Sequence, residues 1–221
     1  MTLGLEPIAE RARSALERRS AARDEALVLS REVIRTCANT IRAVHRGELE
    51  RAAEMLGRAR ESLDRMRATL APFPEVYTAG YVHDCQKEYA EACAFLAVVA
   101  EQSLPSPEEL VVEFPAYLNG LAETVGEIRR HTLDLMRQGD LARAEALLAA
   151  MDEIYDVLVT IDFPDALTGG LRRSTDAARG IIEKTRGELT TALRQEELRF
   201  AIQEALTAYQ VGARGGGAAA P

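Results

Sequence analysis

Four glutamates carry the chemistry of this chain: Glu88 with Glu91, and Glu123 with Glu127. The first pair lies in Lys87-Glu88-Tyr89-Ala90-Glu91-Ala92, and the second in a run from Tyr117 to Glu127. Residues three or four apart share one face of a helix, so each pair presents two carboxylates to one place. Like charges set that way repel by a few tenths of a kcal/mol even when exposed. A hard cation between them removes the cost, and Mg²⁺ or Mn²⁺ takes oxygen ligands of this kind. Acidic pairs on helices are most often solvated surface. Here, however, Tyr89, Ala92, Cys93, Phe95 and Leu96 surround the first pair, and Tyr117, Leu118, Leu121, Val125 and Ile128 surround the second. Carboxylates on a largely apolar stripe call for a partner.

The elements that must position them are helices. Glycine and proline are sparse inside long segments and period-two alternation is absent, so the spacing predicts an all-α fold. A first helix is expected from Pro7 to His45, with Leu16, Leu27, Val28, Val33, Ile34 and Ile41 on one broad stripe. At ~1.5 Å per residue it spans roughly 60 Å, more than a small lone domain can cover. Gly47 breaks it, and a second helix runs from Leu49 to Leu70. Pro72 and Pro74 mark the next turn, before a third helix from Glu75 to Gln102. Ser106 and Pro107 read as the N-cap and first residue of another helical start. Pro115 opens or interrupts the helix that carries the second acidic pair to Arg137; further helices are expected over 140–161 and 171–209. No linker separates two cores. The chain reads as one bundle of six or seven helices over residues 1–210, with a disordered Gly/Ala-rich tail over 211–221.

A turn recurs: Gly47-Glu48-Leu49 resembles Gly139-Asp140-Leu141, each followed by an alanine-rich helix. Two copies 92 residues apart do not make a repeat array, and they read as two helix starts of similar chemistry.

Composition bounds the rest. With 47% hydrophobic and 28% charged residues in 221, the chain can bury a sizeable core. No apolar run approaches a membrane span and no signal-peptide core opens the chain, so a soluble, cytoplasmic protein is expected. Cys37, Cys85 and Cys93 lack metal-binding spacing and read as reduced, mostly buried thiols. The net charge of −8 argues against nucleic-acid binding, but it is unevenly spread. Residues 1–70 hold 14 arginines against 11 acids, a net of +3, leaving −11 for the remainder. Among 27 basic residues only Lys87 and Lys184 are lysines. Arginine suits bidentate phosphate contact; genomic base composition gives the same bias, and both readings stand.

Several chemistries are excluded. There is no P-loop, dinucleotide fingerprint, His-Glu-x-x-His or nucleophile elbow. Di-iron bundles need Glu-x-x-His on two helices, and none of His45, His83 and His131 has a glutamate three residues before it. His131 follows Glu127 by four and reads as an exposed member of the Arg129-Arg130-His131 cluster. Without a serine, cysteine or histidine nucleophile in a recognisable setting, metal-assisted chemistry is the main enzymatic option.

These residues resemble the translin superfamily, and within it the translin-associated factor X (TRAX) type and its archaeal relatives. The resemblance covers nearly the whole chain. A Glu-Tyr-x-Glu-Ala motif is matched by Glu88 to Ala92, and an Asp-Tyr-Leu-x-Gly-x-x-Asp-x-x-Gly-Glu motif by Ala116 to Glu127. Two positions depart: Ala116 stands where the motif has an acid, and Glu123 replaces an aspartate with a side chain one methylene longer. The resemblance implies a hollow octamer of helical subunits and a metal-dependent endoribonuclease acting on single-stranded or structured RNA. By the same resemblance Glu88, Glu91 and Glu123 are catalytic and hold Mg²⁺ or Mn²⁺, with Glu127 a further acidic ligand. His83, Lys87, Arg129 and Arg130 are the candidates for contact with RNA, or with single-stranded DNA. Two alternatives remain open: a non-catalytic nucleic-acid-binding scaffold of the translin kind, and a helical adaptor whose acids merely solvate a face.

Overall fold

The computed structural model describes residues 4–215. Among them are nine helices and no strand: α1 (Glu6–His45), α2 (Leu49–Leu70), α3 (Pro74–Tyr77), α4 (Gly80–Val99), α5 (Pro107–Leu110), α6 (Phe114–Gln138), α7 (Leu141–Leu158), α8 (Asp165–Thr168) and α9 (Leu171–Gly215). Six are long, as the periodicity requires, and three are single turns. The expected third helix is split, because Ala79 is extended (φ −71°, ψ 146°) and separates the turn α3 from α4. The last helix runs on to Gly215; residues 216–221 of the expected tail lie outside the described residues.

Both recurring Gly-acid turns close helices in one way. Gly47 and Gly139 sit at φ 76° and 83°, a region costly for any side chain. The following amides, of Glu48 and Asp140, donate back to the carbonyls of Ala43 and Leu135. The chain therefore reverses sharply, laying α2 back along α1 and α7 back along α6. Ser106 forms the expected N-cap: its hydroxyl accepts from the Glu109 amide while the Glu109 carboxylate accepts from the Ser106 amide. That helix lasts only one turn, because Val111 turns left-handed at φ 53°. Arg60 and Arg67 of α2 hold the strained segment by donating to the carbonyls of Glu109, Leu110 and Val111.

The central helix is α4, packed against α1, α2 and α6. Eleven of its twenty residues are buried, on every side, which accounts for its run of small residues Ala90, Ala92, Ala94 and Ala97. Cys37, Cys85 and Cys93 are free and buried, as expected. Beyond α4 the bundle continues through α6 to α7 and α9. Two ends overhang the core. In α1 no residue before Ala22 is buried, and from Arg194 to Gln210 every α9 side chain is exposed, including Leu198, Ile202 and Leu206.

Candidate metal centre

The site forms where α4 crosses α6, and a glycine sets the crossing. A Cβ on Gly120 would lie 2.7 Å from the Lys87 carbonyl oxygen, 2.9 Å from Ala90 Cβ and 3.0 Å from the Glu91 nitrogen. Only the bare backbone lets the helices approach this closely. Thr124, one turn on, donates its hydroxyl to the Gly120 carbonyl at 2.8 Å and sits fully buried against α4. With that register fixed, Glu123 of α6 faces Glu88 and Glu91 of α4.

The three carboxylates converge: one oxygen from each of Glu88, Glu91 and Glu123 lies within 4.8 Å of the others. They differ in setting. Glu91 is 8% exposed, and among the described residues its carboxylate accepts no hydrogen bond and joins no ion pair. Burial first, and then the charges of Glu88, Glu123 and Glu127, push its pKa from 4.5 up to about 8. Glu88 is half-buried and is also raised, chiefly by burial, with the Lys87 ammonium opposing. Glu123 is the most open of the three and accepts from Lys87 Nζ at 2.7 Å; the same ammonium lies 3.8 Å from Glu88.

The fourth acid, Glu127, is held differently. His45, at the end of α1, places Nε2 2.6 Å from Glu127 Oε2. That hydrogen bond is the main cause holding Glu127 below the usual carboxylate range. Arg130 adds a looser contact at 4.0 Å. The His45 ring is 7% exposed and its Nδ1 is buried without a hydrogen-bond partner. It packs against Phe95, with ring centroids 4.8 Å apart, and near His131 at 6.1 Å. His131 is thus half-buried against α1 and α4, not exposed as its sequence neighbours suggested. Burial, then the nearness of His45, lowers its pKa. The reason is helical phase: Ile128 and Thr132, fully buried on either side of it, turn this face of α6 inward.

The four basic candidates fall apart spatially. Lys87 turns its charge onto the acids. Arg129 is 16% exposed and reaches across to α9, donating to Thr185 Oγ1 at 2.8 Å and pairing with Glu188 at 2.8 Å. Arg130 is exposed beside Glu127. His83 lies a turn before Lys87 on α4, its Nε2 buried against Gly169, where an added Cβ would come within 2.9 Å. Beside the acids opens a cleft of about 370 Å³, walled by Glu91, Ala122 and Glu123 on one side and by Arg173, Ser174 and Ile181 of α9 on the other. Larger clefts of about 670 and 580 Å³ lie elsewhere and are lined by none of the four acids. Sequence reasoning missed His45, Gly120 and Arg173. The contact of His45 with Glu127 spans 82 positions, and no local spacing announces it.

The donor set suits a hard divalent cation. Ligand oxygens around one Mg²⁺ lie up to ~4 Å apart, so small side-chain rotations would close the 4.8 Å cluster. A buried carboxylate lacking any partner is the group that gains most from such an ion. Ala116, where the motif has an acid, is fully buried away from solvent, and the cluster assembles without it.

The class is set by the fold, an all-α bundle, and known proteins share that fold. No known family model matches the chain. It is 33% identical over 199 residues to an uncharacterized protein of Methanocaldococcus jannaschii, covering 89% of this chain and 86% of that one. Among solved structures it is similar to AfC3PO, at 36% identity and TM-score 0.79, and to AfC3PO in complex with duplex RNA, at 35% and 0.78. Each likeness covers 85% of this chain and 97% of the other. Apo-NeC3PO, at 22% identity and TM-score 0.71, shares the fold over 87% of this chain. These are translin/TRAX-family proteins, and the chain belongs to the translin superfamily.

Proposed function

We propose that the protein is a metal-dependent endoribonuclease that cuts single-stranded or structured RNA at the α4–α6 acidic cluster. The observation that carries this reading is Glu91: buried, ringed by two further carboxylates and without any hydrogen-bond partner. Glu88, Glu91 and Glu123 would hold Mg²⁺ or Mn²⁺, with Glu127 adjoining. Such an ion supplies Lewis acidity toward water and a phosphate oxygen. The chain's own residues do the rest. Gly120 fixes the spacing of the two acidic helices, His45 keeps Glu127 ionised, and the α9 wall of the cleft bounds the space beside the acids. Similarity to AfC3PO in complex with duplex RNA supports RNA as the ligand, and single-stranded DNA is chemically close.

Assembly into a homo-oligomer, an octamer by family resemblance, belongs to the same proposal. The overhanging ends of α1 and α9 support it, since Ile8, Leu16, Leu198, Ile202 and Leu206 are more than half exposed among the described residues. No helix among the described residues is long and apolar enough to cross a membrane. We place the protein in the cytoplasm, consistent with three free thiols.

The test is a labelled single-stranded RNA incubated with wild type and with Glu91→Ala, in Mn²⁺ and in EDTA. Products from wild type in Mn²⁺ alone are expected. RNA that is bound yet uncut by wild type would make the protein a binding scaffold instead.

A further inference from the structure

The cluster already contains a cation. We propose that the Lys87 ammonium is the resident counter-ion of the three carboxylates and gives up its place to a divalent cation, so that loading the site exchanges one cation for another. This rests on the reading of the cluster as a metal centre and adds how that centre is regulated.

Three observations converge on Lys87. Its Nζ lies 2.7 Å from Glu123 Oε1 and 3.8 Å from Glu88 Oε1. Among the described residues it is the only basic group paired with any of the three acids, and Glu91 has none. Its side chain is 19% exposed against 39% for Glu123, so the contact is partly shielded, at the open edge of the cluster. An ion held by the same carboxylate oxygens would sit ~2 Å from each. That places it close against an ammonium 2.7 Å from one of those oxygens. Two cations cannot share the position without strong repulsion, and the lysine is the one on a flexible stem.

The backbone favours a pivot at the side chain. The Lys87 carbonyl abuts Gly120, so the main chain is pinned by the helix crossing while the four-carbon stem remains free to turn. The groups facing it are Glu123 from α6 and Glu88 and Asp84 from α4. Asp84 is largely exposed one turn back and offers the displaced ammonium its next carboxylate. In the metal-free state the lysine neutralises part of the repulsion that would otherwise push α4 and α6 apart. On loading, a doubly charged ion replaces a singly charged one, and Glu91 gains the partner it lacks.

The experiment is calorimetric titration of Mn²⁺ alone into the full-length chain, stripped with EDTA, as wild type, Lys87→Met, Lys87→Arg and Glu91→Gln. Lys87→Met keeps the apolar stem and removes the competitor, so it should bind Mn²⁺ about tenfold tighter or more, the scale of one partly shielded charge. Lys87→Arg retains the competitor and should stay within about threefold of wild type. A melt without metal is the second readout: Lys87→Met should melt below wild type in EDTA and show the larger rise with Mn²⁺. Equal or weaker Mn²⁺ affinity in Lys87→Met, with wild type binding, overturns the exchange and leaves the metal centre standing. Absence of Mn²⁺ binding in both, or wild-type binding that Glu91→Gln leaves intact, overturns the metal centre and the exchange together.

Discussion

Glu91 and Glu127 are carboxylates of one acidic neighbourhood, and the protein treats them in opposite ways. Glu127 is given a partner by α1, the His45 imidazole at 2.6 Å, and is held below the usual carboxylate range. Glu91 is buried more deeply, given no partner, and pushed to about 8. A fold optimised for stability would satisfy both; Glu91 instead lines the α9 cleft with no partner from the protein, a largely buried setting that disfavours its charge. The His45 contact looks like structure, with a ring packed on Phe95 and a hydrogen bond closed. Glu91 has no such closure, because the side chains that converge on it are two more acids. Polar strain of this kind, placed between two central helices and beside a cleft, makes Glu91 the residue on which the proposed site is best tested.

The largest effect should come from removing that strain. A carboxylate raised from 4.5 to about 8 in the folded state binds its proton more tightly folded than unfolded. Its contribution is therefore fully present below pH 4.5 and is lost progressively as pH rises toward 8, at up to ~1.4 kcal/mol per pH unit. Glu91→Gln lacks this loss. In EDTA the variant should match wild type near pH 4.5 and melt well above it at pH 8.5, while RNA cleavage in Mn²⁺ falls at least about a hundredfold. Thermal melts across that pH range, beside the cleavage assay, decide it. A variant that is destabilised at pH 8.5 would mean Glu91 has a partner after all.

How much of this was visible in the sequence depends on how local the cause is. Most of the long helices, the Ser106 cap, the buried thiols and the two glycine turns follow from spacing over a few residues; the expected 75–102 helix breaks at the extended Ala79, and α9 runs past 209. The acids at 88, 91, 123 and 127 could be singled out because carboxylates interrupt apolar stripes. Their convergence could not, since it depends on α4 meeting α6 at Gly120. The glycine's role is visible only when Lys87 and Ala90 are seen against it. His131 was misjudged because its sequence neighbours are arginines. One of those, Arg129, itself turns inward to Glu188, a pairing 59 positions away. Pairings at such separations are set by packing and leave no periodic trace.

The crossing itself can be broken while both acidic helices stay whole. Gly120→Ala introduces a Cβ that meets backbone and Cβ atoms at 2.7 to 3.0 Å, so α4 and α6 must part. Overpacking of that kind costs about 1–3 kcal/mol. Gly126, six residues on in the same helix, meets nothing within 4 Å, and alanine there should stabilise by up to about 1 kcal/mol through helix propensity. Urea unfolding of the two variants should therefore give opposite signs. Only Gly120→Ala should weaken Mn²⁺ binding, because only it moves Glu123 relative to Glu88 and Glu91. Equal loss of Mn²⁺ binding in both would detach the site from the crossing.

The smallest effect is expected at the satisfied carboxylate. His45→Gln removes the ring that holds Glu127 and should cost about 1–2 kcal/mol at pH 7, the scale of a hydrogen bond to a charged group. The sign of its pH dependence is opposite to that of Glu91. Glu127 is depressed in the folded state, so its contribution is present above 4.5 and is lost as pH falls through the lowered folded value. The difference between wild type and His45→Gln should then be full at pH 7 and narrow below pH 4.5, whereas the difference between wild type and Glu91→Gln widens upward from there. Denaturant unfolding of both variants at pH 4 and pH 8 checks the pair together. Should His45→Gln instead cost as much at pH 4 as at pH 7, the imidazole would be stabilising the fold through its packing on Phe95 and not through the charge on Glu127.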